Sequence, residues 1–240
     1  MADAAEFEEV SGKELEREEL IRFFSVLSHD LKSPIFSIDG FSELLSSDYA
    51  DRLDADGKDF LARIRNAAQQ MRRVLDEMGH MVKLLSRPNA KRQVDLNEIV
   101  EELRLKFNYA IEQGDVRVDV PGELPVVAGD PEKIREAMSA LLSNALTFTD
   151  KTEGERTITI GHARERELHR ICFDDNGVGI DPRYFDQLFD LGLKLDKSIG
   201  DGPGYGLYLT RHIIESHGGS ISIESEPGKG SRFCFTLPAS

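Results

Sequence analysis

Cysteine is nearly absent from this chain of 240 residues: there are two, Cys172 and Cys234, each flanked by apolar residues (Ile171-Cys172-Phe173 and Phe233-Cys234-Phe235). That excludes a disulfide framework and supplies too few ligands for a zinc site at any usual spacing. Both read as buried core thiols in a reducing compartment. Long hydrophobic runs are also missing. None approaches the roughly 18–20 apolar residues that a membrane span needs, and no signal-peptide pattern opens the chain. Positive charge is in short supply: Lys and Arg number 30 against 44 Asp and Glu, a formal net charge of −14. Duplex nucleic acid and anionic lipid are therefore poor partners. Neither Gly-x-Gly-x-x-Gly nor Gly-x-x-x-x-Gly-Lys-Ser/Thr occurs, which removes the Rossmann and P-loop readings. What is present, 40% hydrophobic and 31% charged residues, fits a soluble globular protein of one large domain or two ordinary ones.

The first nineteen residues hold eight acids against two bases, Lys13 and Arg17, and read as a frayed acidic leader entering a helix. From Leu20 a four-three alternation begins: Leu20, Phe24, Leu27, Leu31, Pro34, Ile38, Phe41 and Leu45. After a polar break with Asp54, Asp56 and Gly57 it restarts at Phe60, Ile64, Ala67, Met71, Val74, Met78, Met81 and Leu85. Two helices of about 30 residues with a loop of roughly ten predict an antiparallel hairpin. The second helix adds a stripe at Leu61, Ala68, Leu75 and Val82. Its apolar arc is wider than one partner covers, so two hairpins packed as a four-helix bundle, a homodimer, are expected. Arg87-Pro88-Asn89 ends the pattern. Beyond it the spacing predicts a short strand entering a helix over 94–111, a strand over 116–120 and a helix over 131–146 capped by Asp130. Strands follow over 157–163 and 168–174, then a helix over 205–217 and a hairpin of 220–224 with 231–237. Two domains result, 1–89 and 90–240, the second an α+β layer of three helices on one sheet.

His29 sits in Ser28-His29-Asp30-Leu31-Lys32-Ser33-Pro34, about 200° round the helix from both Leu27 and Leu31, and so points to solvent. Pro34 removes a helical hydrogen bond and frees the carbonyl of Asp30, at a cost of about 3 kcal/mol in an ordinary helix. A carboxylate beside an imidazole can hold one ring nitrogen and leave the other nucleophilic. In the second domain Asp174-Asp175-Asn176-Gly177-Val178-Gly179 places an acid at a strand end, followed by two glycines that let backbone approach a ligand. Gly202-Pro203-Gly204-Tyr205-Gly206-Leu207 opens a helix whose N–H groups can hold phosphate oxygens. Asn144, late on the 131–146 helix, is either a buried, satisfied amide or an oxygen ligand for Mg2+.

These stretches together resemble the transmitter of a bacterial-type sensor histidine kinase, over about residues 14–238. Ser28 to Pro34 is similar to the H box, Leu141 to Ala145 to the N box, and Asp175 to Gly179 to the first glycine box. Tyr184 to Phe189 resembles the F box, Gly202 to Leu207 the second glycine box, and Gly228 to Ser231 the terminal hairpin. The resemblance implies a dimerisation and phosphoacceptor hairpin followed by a GHKL (Bergerat-type) ATP-binding domain. By it, His29 takes the γ-phosphoryl of ATP, Asp30 acts as base or orienting acid, and Ser33 positions water if the chain also dephosphorylates its partner. Asp175 accepts from the adenine amino group, Gly177 and Gly179 form the first glycine turn, and Asn144 binds Mg2+. Gly202, Gly204, Gly206 and Leu207 shape the lid. The implied partners are a second copy of the chain and the receiver domain of a response regulator, in the cytoplasm. Two positions depart from the pattern: Thr147 stands where relatives often carry a cation after the asparagine, and Asp190 where many carry an arginine. Lys194 and Lys197 are placed to substitute. The alternative reading is a phosphatase-biased or catalytically weak transmitter acting as a nucleotide-binding scaffold.

Overall fold

The computed structural model describes residues 2–149, 154–192 and 204–239, with side chains from residue 22 onward. The chain forms two compact units, Met1–Arg87 and Pro88–Ser240.

The first unit is a helical hairpin. Helix α1 (Ala2–Asp48) takes in the acidic leader, which is helical, and contains Pro34; α2 runs Ala55–Ser86. A single turn of 3-10 helix, Ala50–Arg52, lies in a connection shorter than the sequence suggests. Asp54 opens α2, its carboxylate accepting from Gly57 N at 2.8 Å. Cross-helix ion pairs fix the antiparallel register: Lys32 with Asp76 at 2.8 Å, Arg72 with Asp39 at 3.3 Å and Arg65 with Glu43 at 3.0 Å.

The seam inside this hairpin is not the longest apolar stripe of the sequence. Ile35, Ala68 and Leu75 pack as one cluster, flanked by buried Ser28, Ser42, Leu61 and Val82. These positions repeat every seven residues on both helices, one place on from the four-three stripe and thus about 100° round each helix. Two of them are serines, which is why the seam is hard to see in composition. Ser42 meets its need for a partner by donating to the Ile38 carbonyl at 2.6 Å, so its burial costs little. Most of the stripe expected at the seam faces outward instead, with Leu31 41%, Phe41 68% and Phe60 62% exposed, and only its last turns on α2 are covered, Met81 being buried.

The second unit begins with β1 (Arg92–Asp95), α3 (Leu96–Lys106) and α4 (Asn108–Gly114), a strand followed by two helices where one was expected. Then come β2 (Val116–Asp119), β3 (Val126–Gly129), α5 (Pro131–Thr149), β4 (Arg156–Glu165) and β5 (Leu168–Asp175). A 3-10 segment (Pro182–Gln187), α6 (Gly206–Ser216), β6 (Ile221–Glu226) and β7 (Gly230–Pro238) complete it. Five strands form one sheet in the order β2-β4-β5-β7-β6, with β2 parallel to β4 and the other pairs antiparallel; β1 and β3 make a separate antiparallel pair. Ile158, Ile160, Ile171, Phe173 and Phe235 of the sheet are buried, as are Ile134, Met138, Leu141 and Leu142 of α5 and Ile213 and Ile214 of α6. Period-two burial on β4 and β5 and a buried stripe along α5 are the two patterns that give a sheet with helices on one face.

The cysteines correct the sequence reading. Cys172 and Cys234 are not free core thiols: they stand opposite each other in the β5–β7 register and form a disulfide, with S–S 2.10 Å and a sequence separation of 62. Strand register, not sequence spacing, brings them together, and the inference of a reducing compartment from free thiols lapses with it.

A polar cluster ties the first residues of this unit to the start of α5 and the end of α6. Asp130 caps α5, its Oδ1 accepting from Glu132 N and Lys133 N at 3.1 Å each, while Oδ2 accepts from Ala90 N at 3.0 Å. Lys133 Nζ donates to Asn89 Oδ1 at 2.6 Å, and Asn89 Nδ2 donates to the Ser216 carbonyl at 2.8 Å. His217 donates from Nδ1 to the Ile213 carbonyl at 2.7 Å and accepts at Nε2 from Asp130 N at 3.0 Å. A side chain on Gly129 would meet His217 Cδ2 at 2.8 Å, so glycine is required there.

Candidate functional site

On α1 the His29 side chain is 88% exposed, and its Nδ1 lies 3.2 Å from Asp30 Oδ1. With Nδ1 donating to the carboxylate, the imidazole lone pair resides on Nε2, the tautomer a nucleophile needs. Ser33 is exposed one turn further on, and its carbonyl accepts from Ser37 Oγ at 3.2 Å.

In the second unit Asp175 closes β5 and is 9% exposed. Burial pushes its carboxyl up to about 6. The backbone N–H groups of Gly177 and Ser231 oppose that shift by solvating the charge, and the neighbouring Asp174 adds to it. Gly177 N donates to Asp175 Oδ1 at 2.9 Å. The loop after Asp175 is held from three sides. Asn176 accepts from Thr157 N at 2.9 Å and donates to the Glu155 carbonyl at 2.7 Å. Val178 N reaches the Phe148 carbonyl of α5 at 3.4 Å, and Ile180 N donates to Ser225 Oγ at 2.8 Å. Both glycines are obligatory: a Cβ on Gly177 would lie 2.8 Å from the Phe148 carbonyl, and one on Gly179, at φ +70°, would lie 2.0 Å from Glu226 O.

This loop therefore rests on the end of α5 that carries Asn144, which is half-buried. Thr147 donates its hydroxyl to the Ser143 carbonyl at 2.8 Å, leaving only acceptor capacity toward a ligand. The start of α6 is beside α5 as well, since a Cβ on Gly206 would stand 3.4 Å from Ala140 Cβ, one turn before Asn144. Gly204 has φ +82° and Leu207 is half-buried. Asn144, Asp175, Gly177, Gly179 and Gly206 thus border one region of the second unit. Lys194, Lys197 and Gly202 lie outside the described residues. Ser231, Ser225, Asn176 and Phe148 were missed by sequence reasoning because they act through backbone groups or support the loop from behind. The turn Pro227-Gly228-Lys229-Gly230 was the available signal, and a Cβ on Gly230 would fall 1.9 Å from the Asp175 carbonyl.

Among the described residues no three His, Cys, Asp or Glu side chains converge as a metal cluster. One amide oxygen and two glycine turns suit a cation delivered on phosphate oxygens, the usual situation of Mg2+ with a nucleotide.

The first unit thus carries an exposed histidine on a helical hairpin, and the second a glycine-bordered buried acid at the end of a sheet strand. Residues 19–87 match the His Kinase A (phospho-acceptor) domain and residues 129–240 the histidine kinase-, DNA gyrase B- and HSP90-like ATPase. The chain belongs to the sensor histidine kinases and carries their transmitter region, the protein-histidine kinase core. It is 35% identical over 229 residues to cyanobacterial phytochrome B of Nostoc sp., covering 93% of this chain and 30% of that protein. It is 30% identical over 230 residues to the adaptive-response sensory kinase SasA of Thermosynechococcus vestitus, covering 90% of this chain and 59% of that one. The crystal structure of full-length ShkA in complex with AMPPNP superposes with a TM-score of 0.68 at 19% identity, over 90% of this chain and 45% of that chain, and shows the shared fold. The chain thus spans about 30 to 59% of these proteins' lengths. No described helix is long and apolar enough to cross a membrane.

Proposed function

We propose that the chain is an ATP-dependent kinase of its own His29, residues 1–87 forming the dimerising acceptor hairpin and 88–240 the ATP-binding domain. The observation that carries this is the solvent-exposed His29 held at Nδ1 by Asp30, in a chain whose second unit supports a buried acid and two glycine turns. In the transfer, the His29 Nε2 lone pair attacks the γ-phosphorus in line, the P–N bond forms, and the bond to the β–γ bridging oxygen breaks with its electrons leaving on ADP. Asp30 stabilises the charge that develops on the ring and takes the Nδ1 proton as the phosphoimidazole becomes neutral. Asp175 accepts from the adenine amino group, Asn144 offers its amide oxygen to Mg2+, and the N–H groups around Gly204, Gly206 and Leu207 face the phosphates, with Gly202, Lys194 and Lys197 in the lid. Bound Mg2+ supplies neutralisation of phosphate charge. The exposed stripe through Leu27, Leu31, Ile38 and Phe41 is the homodimer face. The phosphoryl group then passes to an aspartate of a response-regulator receiver domain in the cytoplasm. The scaffold alternative is not favoured, both kinase domains being present.

Incubation with ATP labelled at the γ-phosphate tests this. Acid-labile, base-stable label should form on the wild type and be lost in His29→Gln with nucleotide binding retained. Label persisting at His80 or His212, or none on the wild type, overturns it.

A further inference from the structure

His162 of β4 and His169 of β5 face each other across the hairpin at the end of the sheet remote from Asp175. His162 Nε2 and His169 Nδ1 are 2.9 Å apart and the ring centroids 5.0 Å. Register pairs His162 with Ile171 and His169 with Arg164, so the two imidazoles are diagonal neighbours on one face of the sheet. His169 precedes Asp175 by six residues on β5, about 20 Å at the rise of a strand. The pair takes no part in the nucleotide site.

We propose that His162 and His169 form a two-imidazole chelate for a divalent transition ion of tetragonal preference, Cu2+ or Ni2+. At metal–nitrogen distances of about 2.0–2.1 Å, two ligands in cis at a right angle sit about 2.9 Å apart, whereas a tetrahedral angle spaces them about 3.3–3.4 Å. The observed separation is the right-angle value. Aiming both lone pairs at one ion would bring the centroids to about 4.5 Å, a swing of a few tenths of an ångström per ring. That is small for side chains at a hairpin end. Binding needs a lone pair on each facing nitrogen, so the proton now between them moves to an outward nitrogen, leaving His162 protonated at Nδ1 and His169 at Nε2.

Two features set the expected strength. The guanidinium of Arg164 opposes any cation here, and no three-ligand cluster exists among the described residues. Water fills the remaining positions, and the ion with the strongest hold on imidazole, Cu2+, is preferred over Zn2+.

The test is titration of the untagged full chain with Cu2+, followed by electron paramagnetic resonance. An axial signal with two equatorial nitrogens is expected, with one such ion per chain. His162→Ala and His169→Ala should each lower affinity at least tenfold, with ATP affinity and circular dichroism unchanged. Should an alanine variant fail to fold, His162→Gln or His169→Gln serves, since glutamine keeps the polar contact without the imidazole. Equal Cu2+ binding by the wild type and the double variant, or a wild type without a two-nitrogen signal, overturns the site. The contact is then an N–H···N hydrogen bond alone.

Discussion

Replacing Asp175 by asparagine should strengthen the nucleotide-free second unit while weakening its hold on ATP. The carboxyl lies at about 6 in the folded chain against 3.8 when unperturbed, because burial disfavours its charge. The folded state therefore binds the proton more tightly than the unfolded state. The contribution of this carboxyl to stability is fully present below pH 3.8, is lost as pH rises through about 6, and is level above that. The two-unit difference corresponds to about 3 kcal/mol at pH 7. Asparagine carries no charge and escapes this penalty. It also presents one acceptor to the N–H groups of Gly177 and Ser231, a loss of about 1 kcal/mol. A net gain of about 2 kcal/mol remains, which for a unit of this size raises the melting temperature by about 4–8 °C. ATP affinity should fall roughly tenfold or more, because an amide turns donors toward the adenine amino group. Melting curves from pH 4 to 8 without nucleotide, for both forms, are the assay, read as their difference. If that difference is flat across pH 4–6, ionisation of Asp175 is not what burial opposes and the reasoning fails.

Leu27, 37% exposed and outside the Ile35–Ala68–Leu75 cluster, should give a helical monomer as Leu27→Asp, measured by sedimentation, whereas Leu75→Asp should unfold the hairpin; a Leu27→Asp dimer would refute the assignment of the outer face. Cleaving Cys172–Cys234, which closes a separation of 62 residues, should cost about 4 kcal/mol in the chain-entropy account, visible as a lower melting temperature with reductant and absent in a Cys172→Ser/Cys234→Ser chain. An unchanged transition on reduction would contradict the bond. Thr147→Lys should raise ATP affinity or autophosphorylation by roughly ten- to hundredfold, the scale of one charge-assisted contact, unless Lys194 or Lys197 already serves. If neither it nor Lys194→Ala nor Lys197→Ala alters either quantity, the placement of the phosphate lid is wrong.

Local signals carried most of the fold. Asp130 before Pro131 announced the capped start of α5, and the alternation around Ile171 and Phe173 announced β5. The hairpin was legible as two helices, and the α2 side of its inner seam showed as the Leu61–Val82 stripe, but the α1 side did not, because Ser28 and Ser42 occupy core positions there. A count of apolar residues assigns such positions to solvent; only the partner helix shows that small residues allow close approach. The disulfide was invisible for a related reason, as pairing of Cys172 with Cys234 follows from strand register. Next to Asp175, the close backbone approach at Gly177 and Gly179 could be read from the sequence, and a Cβ at either would collide with the Phe148 carbonyl or with Glu226 O. The supports from Asn176, Ser225 and Ser231 could not, since they depend on which strand ends meet.

The two proposed reactive groups answer opposite physical demands. A hydrogen bond that reads a base edge is worth little in water, where solvent offers the same contact, and gains discrimination only when the acceptor is dry. Asp175 is accordingly buried, at the cost of a raised carboxyl, and held by backbone N–H groups that cannot rotate away. A group that must receive phosphate and later surrender it to another molecule needs the reverse: access from solvent and a fixed direction. His29 has both, standing on a helix with its ring held from the side by Asp30. Burying His29 would block both encounters, and exposing Asp175 would remove its selectivity. The sequence places the two on separate units, one on an open helical face and the other at the buried end of a central strand, so neither environment compromises the other.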